Sequence, residues 1–273
     1  MAVTIGSDVL FRYRQFTLYN SPFVAHDSGC AIDLYPDGNR APSPVAGEVL
    51  DIRSVDAPPK PYAADRDHLI LVDTGGRVAR LLHVDPAVDP GDTVAVGDDL
   101  GGLVRAGFFA PWVPNHIHLG FRTYDRNPYR AAGSLPVEVA VDVTGLAWDG
   151  TGTVRATGET WARLDAPAHP APGEQFVGLE SGDGVLDGGF PHYETGGLLA
   201  GGDLATVAGT VVGTVAGRDV AWHDCTVTAN GDPVTGLALF CARDSFGIKL
   251  VGEELGVSVG DDIRVRVACS QRA

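Results

Sequence analysis

The sequence His116-Ile117-His118 sets two imidazoles at positions i and i+2. On a β-strand such positions face the same way, so both rings would project into one site. Paired imidazoles can hold a divalent metal, or couple a ligand to a proton-transfer group. Further candidates lie upstream. His83 closes the apolar run 77–83 and leads into Val88-Asp89-Pro90-Gly91-Asp92-Thr93-Val94 and Gly97-Asp98-Asp99-Leu100-Gly101. Earlier still, His26-Asp27-Ser28-Gly29-Cys30-Ala31-Ile32-Asp33 precedes Ala41-Pro42-Ser43-Pro44-Val45-Ala46-Gly47-Glu48-Val49-Leu50. Taken singly, His83 also fits a hydrogen-bonded edge histidine, and Asp33 a residue that satisfies a turn.

In this order the elements resemble the lysostaphin-type (LytM/M23) zinc metallopeptidase domain. The match is closest from His83 to Gly101, and His116-Ile117-His118-Leu119-Gly120-Phe121 is similar to the strand that completes that family's site. The resemblance covers about residues 20–125. It implies that Asp33 and His118 are zinc ligands, that His83 and His116 are the catalytic pair, and that a peptide or protein is the substrate. The third ligand departs from the pattern. The family's first motif is H-x-x-x-D, but Gly29 stands four positions before Asp33, and His26 stands seven before it. An offset of seven on a regular strand puts two side chains on opposite faces. His26 therefore needs a bulge or loop around Ser28-Gly29, which glycine tolerates. Cys30, three positions from Asp33, and Asp27 are other donors. Two outcomes follow. Either the motif is lengthened by three and His26 completes a metal site with Asp33 and His118, or the site lacks a ligand and the domain is a non-catalytic binding or scaffold module.

The elements that must carry these residues read as strands. Helical periodicity is nearly absent, and the apolar runs are short, rich in Val, Ile and Thr, and broken by Gly, Pro or Asp. Residues 45–52, 68–72, 77–83 and 116–122 are expected strands, with Asp73-Thr74-Gly75-Gly76 turning a hairpin between the second and third. The fold class expected is all-β, an antiparallel M23-like domain at 1–135 followed by a Gly-rich β domain at 136–273. In the second half, 152–156, 205–215, 220–228, 235–242 and 263–267 read as strands. Segments 166–173 and 181–202 read as Pro- or Gly-rich interruptions. His192 and His223 fall in ordinary strands or loops, and His169 in a Pro-rich linker.

The chain has 273 residues, with 35 acidic and 20 basic side chains, a formal net charge of −15. That self-field disfavours phosphate backbones and anionic membranes, so nucleic acid and membrane are excluded as expected partners. Only Lys60 and Lys249 are lysines. Acidic excess with almost no lysine resembles the composition of a halophilic protein working in concentrated salt, which screens such repulsion; the alternative is a merely acidic protein. No apolar run approaches the ~20 residues that span a bilayer, and the first residues lack a charged-then-apolar leader pattern. The expected compartment is the cytoplasm. Cys30, Cys225, Cys241 and Cys269 are then expected to be buried thiols, with Cys225 and Cys241 able to reach neighbouring strands.

Overall fold

The structure, a computed structural model, describes residues 2–270 and is nearly all β. It divides into two compact units, Met1–Leu18 with Phe23–Val141, and Tyr19–Pro22 with Asp142–Ala273. The division expected after residue 135 therefore lies six residues later. The reason is local: Val137–Val139 pairs in parallel with Val3–Ile5 and so stays with the first unit.

The strands of the first unit are, in chain order, β1 (Val3–Ile5), β2 (Gln15–Thr17), β3 (Ala31–Tyr35), β4 (Arg40–Pro42), β5 (Gly47–Asp56), β6 (Arg66–Asp73), β7 (Val78–Leu82), β8 (Val84–Pro86), β9 (Thr93–Val94), β10 (Asp99–Leu103), β11 (Ile117–Arg122) and β12 (Val137–Val139). Seven of them form one antiparallel sheet in the order β9-β5-β6-β7-β11-β3-β2. A second, three-stranded antiparallel sheet has the order β4-β10-β8. β3 and β11 are buried along their whole lengths although each carries polar side chains, Asp33 in β3 and His118 and Arg122 in β11. Their few polar residues are therefore sealed inside the unit. The β6–β7 turn closes as the sequence indicates, with the Thr74 N–H donating to the Arg77 carbonyl at 3.0 Å.

The second unit is also β, running from Val143–Leu146 to Asp262–Cys269. Its core gathers Leu164, Leu186, Phe190, Leu198, Leu237 and Leu250, all essentially buried. Segment 181–202, expected as a glycine-rich interruption, holds two strands, Gly184–Phe190 and Thr195–Leu199, paired antiparallel. The glycines there make room for large rings: a Cβ on Gly196 would lie 2.1 Å from the Trp222 ring, and one on Gly197 2.2 Å from the Tyr19 ring. Residues 205–215 are a hairpin rather than one strand, with Ala208 and Gly209 both at positive φ in its turn. The run 220–228 breaks into Asp219–Trp222 and Cys225–Ala229.

Cysteine chemistry differs from the expectation of four thiols. Cys225 and Cys269 sit opposite each other on paired strands and form a disulfide, while Cys30 and Cys241 stay thiols. Antiparallel register brings the first two together; Cys241, buried on a separate short strand, is not the partner of Cys225.

Candidate metal centre

The site begins with strand register. His118 on β11 lies directly opposite Asp33 on β3. Residues facing each other across an antiparallel pair point to the same sheet face, so the imidazole and carboxylate meet: His118 Nδ1 is 3.1 Å from Asp33 Oδ1. His116, two residues before His118, lies just ahead of β11 and brings its Nε2 to 3.4 Å from Asp33 Oδ2. On the other side of β11, Leu82 is opposite His118, and His83 follows at the end of β7. Its ring centroid is 5.0 Å from that of His116 and 5.9 Å from that of His118.

His26 reaches the same point from outside the sheet. It lies in a short 3₁₀ segment, Val24–Gly29, interrupted at Asp27 and Ser28. Ser28 and Gly29 take φ values of 53° and 63°. This left-handed step turns the chain before β3 begins and removes the opposite-face problem that an offset of seven creates on a straight strand. His26 Nε2 then lies 3.0 Å from His118 Nδ1 and 3.3 Å from Asp33 Oδ1. His26, Asp33 and His118 form a group with metal-ligand spacing. Neither Cys30 nor Asp27 belongs to it, and Asp27 is exposed.

The geometry can be tested against a metal. Bonds of about 2.05 Å in a tetrahedron put neighbouring donors about 3.3 Å apart, and the three separations here are 3.0, 3.1 and 3.3 Å. Tautomers agree with this. The His26 Nδ1–H donates to the Leu18 carbonyl at 2.8 Å, leaving a lone pair on Nε2. That lone pair faces a carboxylate oxygen, an arrangement of two acceptors that needs a cation or a shared proton between them. Three donors of the N, N, O type match the protein ligand set of catalytic zinc.

Electrostatics favour unprotonated donors. Burial depresses His116 to about 4 and His118 to about 3, the attraction of Asp33 only partly offsetting it. Burial pushes the Asp33 carboxyl the other way, but the charges of His116 and His26 and the hydrogen bonds of His118 and His26 hold it well below the usual carboxylate range. The five residues His26, Asp33, His83, His116 and His118 are each at most 6% exposed. Aromatic rings surround them: the centroid of Phe109 lies 4.7 Å from His116 and 5.1 Å from His83, and that of Tyr35 lies 5.1 Å from His116.

One residue of the site was not singled out in the sequence. Asp67, fully buried, accepts the His83 Nδ1–H at 2.5 Å and the His83 backbone N–H at 3.0 Å. The signal was available in the hairpin. Leu69 pairs with Leu82, so counting back from the turn brings residues 67 and 68 level with His83. His68, in contrast, is only half-buried and faces Asp85 at 3.8 Å.

Residues 4–139 match a family model described as the Domain of unknown function (DUF8155) N-terminal domain, and residues 144–268 match the one described as the DUF8155 C-terminal domain. No curated protein matches the chain.

Proposed function

We propose, from the premise that this chain belongs to the DUF8155 family along both domains, that its first unit is a zinc-dependent hydrolase of peptide bonds, related in design to the LytM/M23 peptidases. The observation that carries this reading is the convergence of the ligand atoms of His26, Asp33 and His118 on one point, with His83 and His116 beside it. Zinc held by His26, Asp33 and His118 would supply Lewis acidity and lower the pKa of a bound water toward ~7. The remaining chemistry belongs to the two histidines. The His116 Nδ1–H is committed to the Pro114 carbonyl at 2.8 Å, so its Nε2 carries the lone pair that can take a proton from an attacking water and return it to the leaving amine. His83, with its Nδ1–H on Asp67, offers an Nε2 lone pair that can share the proton transfer and, once it has taken the proton, donate to the oxyanion.

The burial of the whole constellation favours a second reading, a metal-stabilised binding module without turnover. The Cys225–Cys269 disulfide also bears on where the protein acts, since reducing compartments disfavour such bonds. It argues for an oxidising location rather than the cytoplasm. No helix among the described residues is long and apolar enough to cross a membrane.

The test is metal analysis together with peptide hydrolysis. The hydrolase reading expects about one zinc per chain, its loss in His118→Ala, and cleavage of glycine-containing peptides that fails in His116→Ala while zinc stays bound. Zinc without cleavage of any peptide in a broad library supports the binding module. Absence of zinc after dialysis against the metal ends both.

A further inference from the structure

His83 stands out from the other histidines of the site in two respects. Its backbone is left-handed, with φ at 71°. For a residue bearing a side chain this conformation is strained and persists only where the surroundings enforce it. Its Nδ1 is also held by a carboxylate outside the ligand group, whereas the Nδ1 of His26 and of His116 donates to a backbone carbonyl and that of His118 faces the ligand Asp33. One residue accounts for both features. Asp67 Oδ1 accepts the His83 backbone N–H at 3.0 Å and the His68 backbone N–H at 2.7 Å, and Asp67 Oδ2 accepts the His83 Nδ1–H at 2.5 Å. The chain beyond His83 is pinned as well, its carbonyl accepting the Val104 N–H at 2.8 Å.

We infer that Asp67 is a positioning residue, which fixes the His83 ring in the Nδ1–H tautomer and aims its Nε2 lone pair into the site shared with His116 and His118. The inference rests on the hydrolase reading for its catalytic consequence, but not for its structural content. The carboxylate is fully buried, and the one side chain found against it among the described residues is the His83 ring. A buried anion held by one imidazole N–H and two amide donors has little freedom to turn. Burial raises the Asp67 carboxyl, yet the hydrogen bond and charge of His83 and the two amide donors outweigh it, so the carboxylate stays ionised at neutral pH and acts only as acceptor. An asparagine of the same shape breaks this logic. If its oxygen keeps the backbone N–H groups, its NH₂ faces His83 Nδ1 and drives the proton to Nε2. The nitrogen in the site is then a donor instead of a lone pair, as happens when the carboxylate of a catalytic triad is replaced by an amide.

The experiment uses the full chain with ¹⁵N-labelled histidine. In the wild-type protein, zinc-loaded or zinc-free, the spectrum is expected to show a ring proton on Nδ1 of His83, far downfield of the amides, assigned by its loss in His83→Gln. In Asp67→Asn that signal disappears and a proton on Nε2 replaces it, while zinc stays at one per chain. With a cleaved peptide in hand, kcat falls roughly 10–100-fold with KM within about twofold, and Asp67→Glu restores part of the loss. An Nε2–H tautomer in the wild type overturns the inference, and this measurement needs no variant to fold. So does an Asp67→Asn protein that keeps the wild-type tautomer and rate, or that loses rate only together with zinc. Because the tautomer is read without substrate, a protein that hydrolyses nothing sinks the hydrolase reading and leaves the role of Asp67 to be judged separately.

Discussion

At the scale of the residue, backbone torsion and burial set the chemistry. His26 donates to the centre only because Ser28 and Gly29 turn left-handed before β3 starts. Side chains with no role in the centre obey the same physics. His192 in the second unit is depressed to about 4 by burial, with a hydrogen bond to the Phe190 backbone opposing the shift. Its folded pKa lies below the ordinary value, so the unfolded chain binds the extra proton first as pH falls. The stability it contributes is complete above about 6.5 and is lost as pH drops toward about 4. Between pH 7 and pH 5 this amounts to at most about 2 kcal/mol. Denaturant titrations at both pH values should show the wild type losing that much more stability than His192→Asn. Equal losses would mean that His192 is as well solvated folded as unfolded.

Elements position the centre through close backbone approach. The β8–β10 pairing is one such place, because β8 begins at the residue after His83. Gly101 takes a φ of 136°, and a Cβ there would stand 1.9 Å from the Asp85 carbonyl oxygen. Gly102 has nothing within 4 Å of the same point. Gly101→Ala should therefore destabilise the first unit by about 3 kcal/mol. Gly102→Ala should change it by no more than about 0.5 kcal/mol. Denaturant midpoints at unchanged m-value would read both. A Gly101→Ala protein as stable as the Gly102→Ala one would show that β8 and β10 do not pack as described.

For the molecule as a whole, charge is the dominant variable. A net charge of −15, 35 acidic against 20 basic side chains, leaves self-repulsion only partly offset. Screening reaches about 10 Å at 0.1 M salt and about 3 Å at 1 M. The melting temperature should rise by several degrees between about 0.05 and 1 M monovalent salt, to the same extent in NaCl and KCl. A flat profile would mean that the acidic residues are spaced widely enough not to repel. Zinc acts differently, since binding to the folded state alone stabilises by mass action, about 4 kcal/mol at a thousandfold excess over Kd.

The sequence by itself determined the all-β class, through short Val-, Ile- and Thr-rich runs, and the hairpin, through Asp73-Thr74-Gly75-Gly76. It also pointed His116 and His118 toward one site, and both rings lie against Asp33, although His116 stands just ahead of the strand. Which side chains meet across strands was decided only by the tertiary structure. Asp33 faces His118 because β3 and β11 pair in one register, and Cys225 meets Cys269 for the same kind of reason. A shift of one residue would turn either pair apart. Asp67 escaped notice because its importance lies in a hydrogen bond to a residue sixteen positions away. The strands of 184–199 escaped because glycine spacing that looks like a loop serves instead to seat the rings of Tyr19 and Trp222. Local propensity reports the conformations a segment prefers; contacts between distant segments arise only once the chain has folded and buried them together.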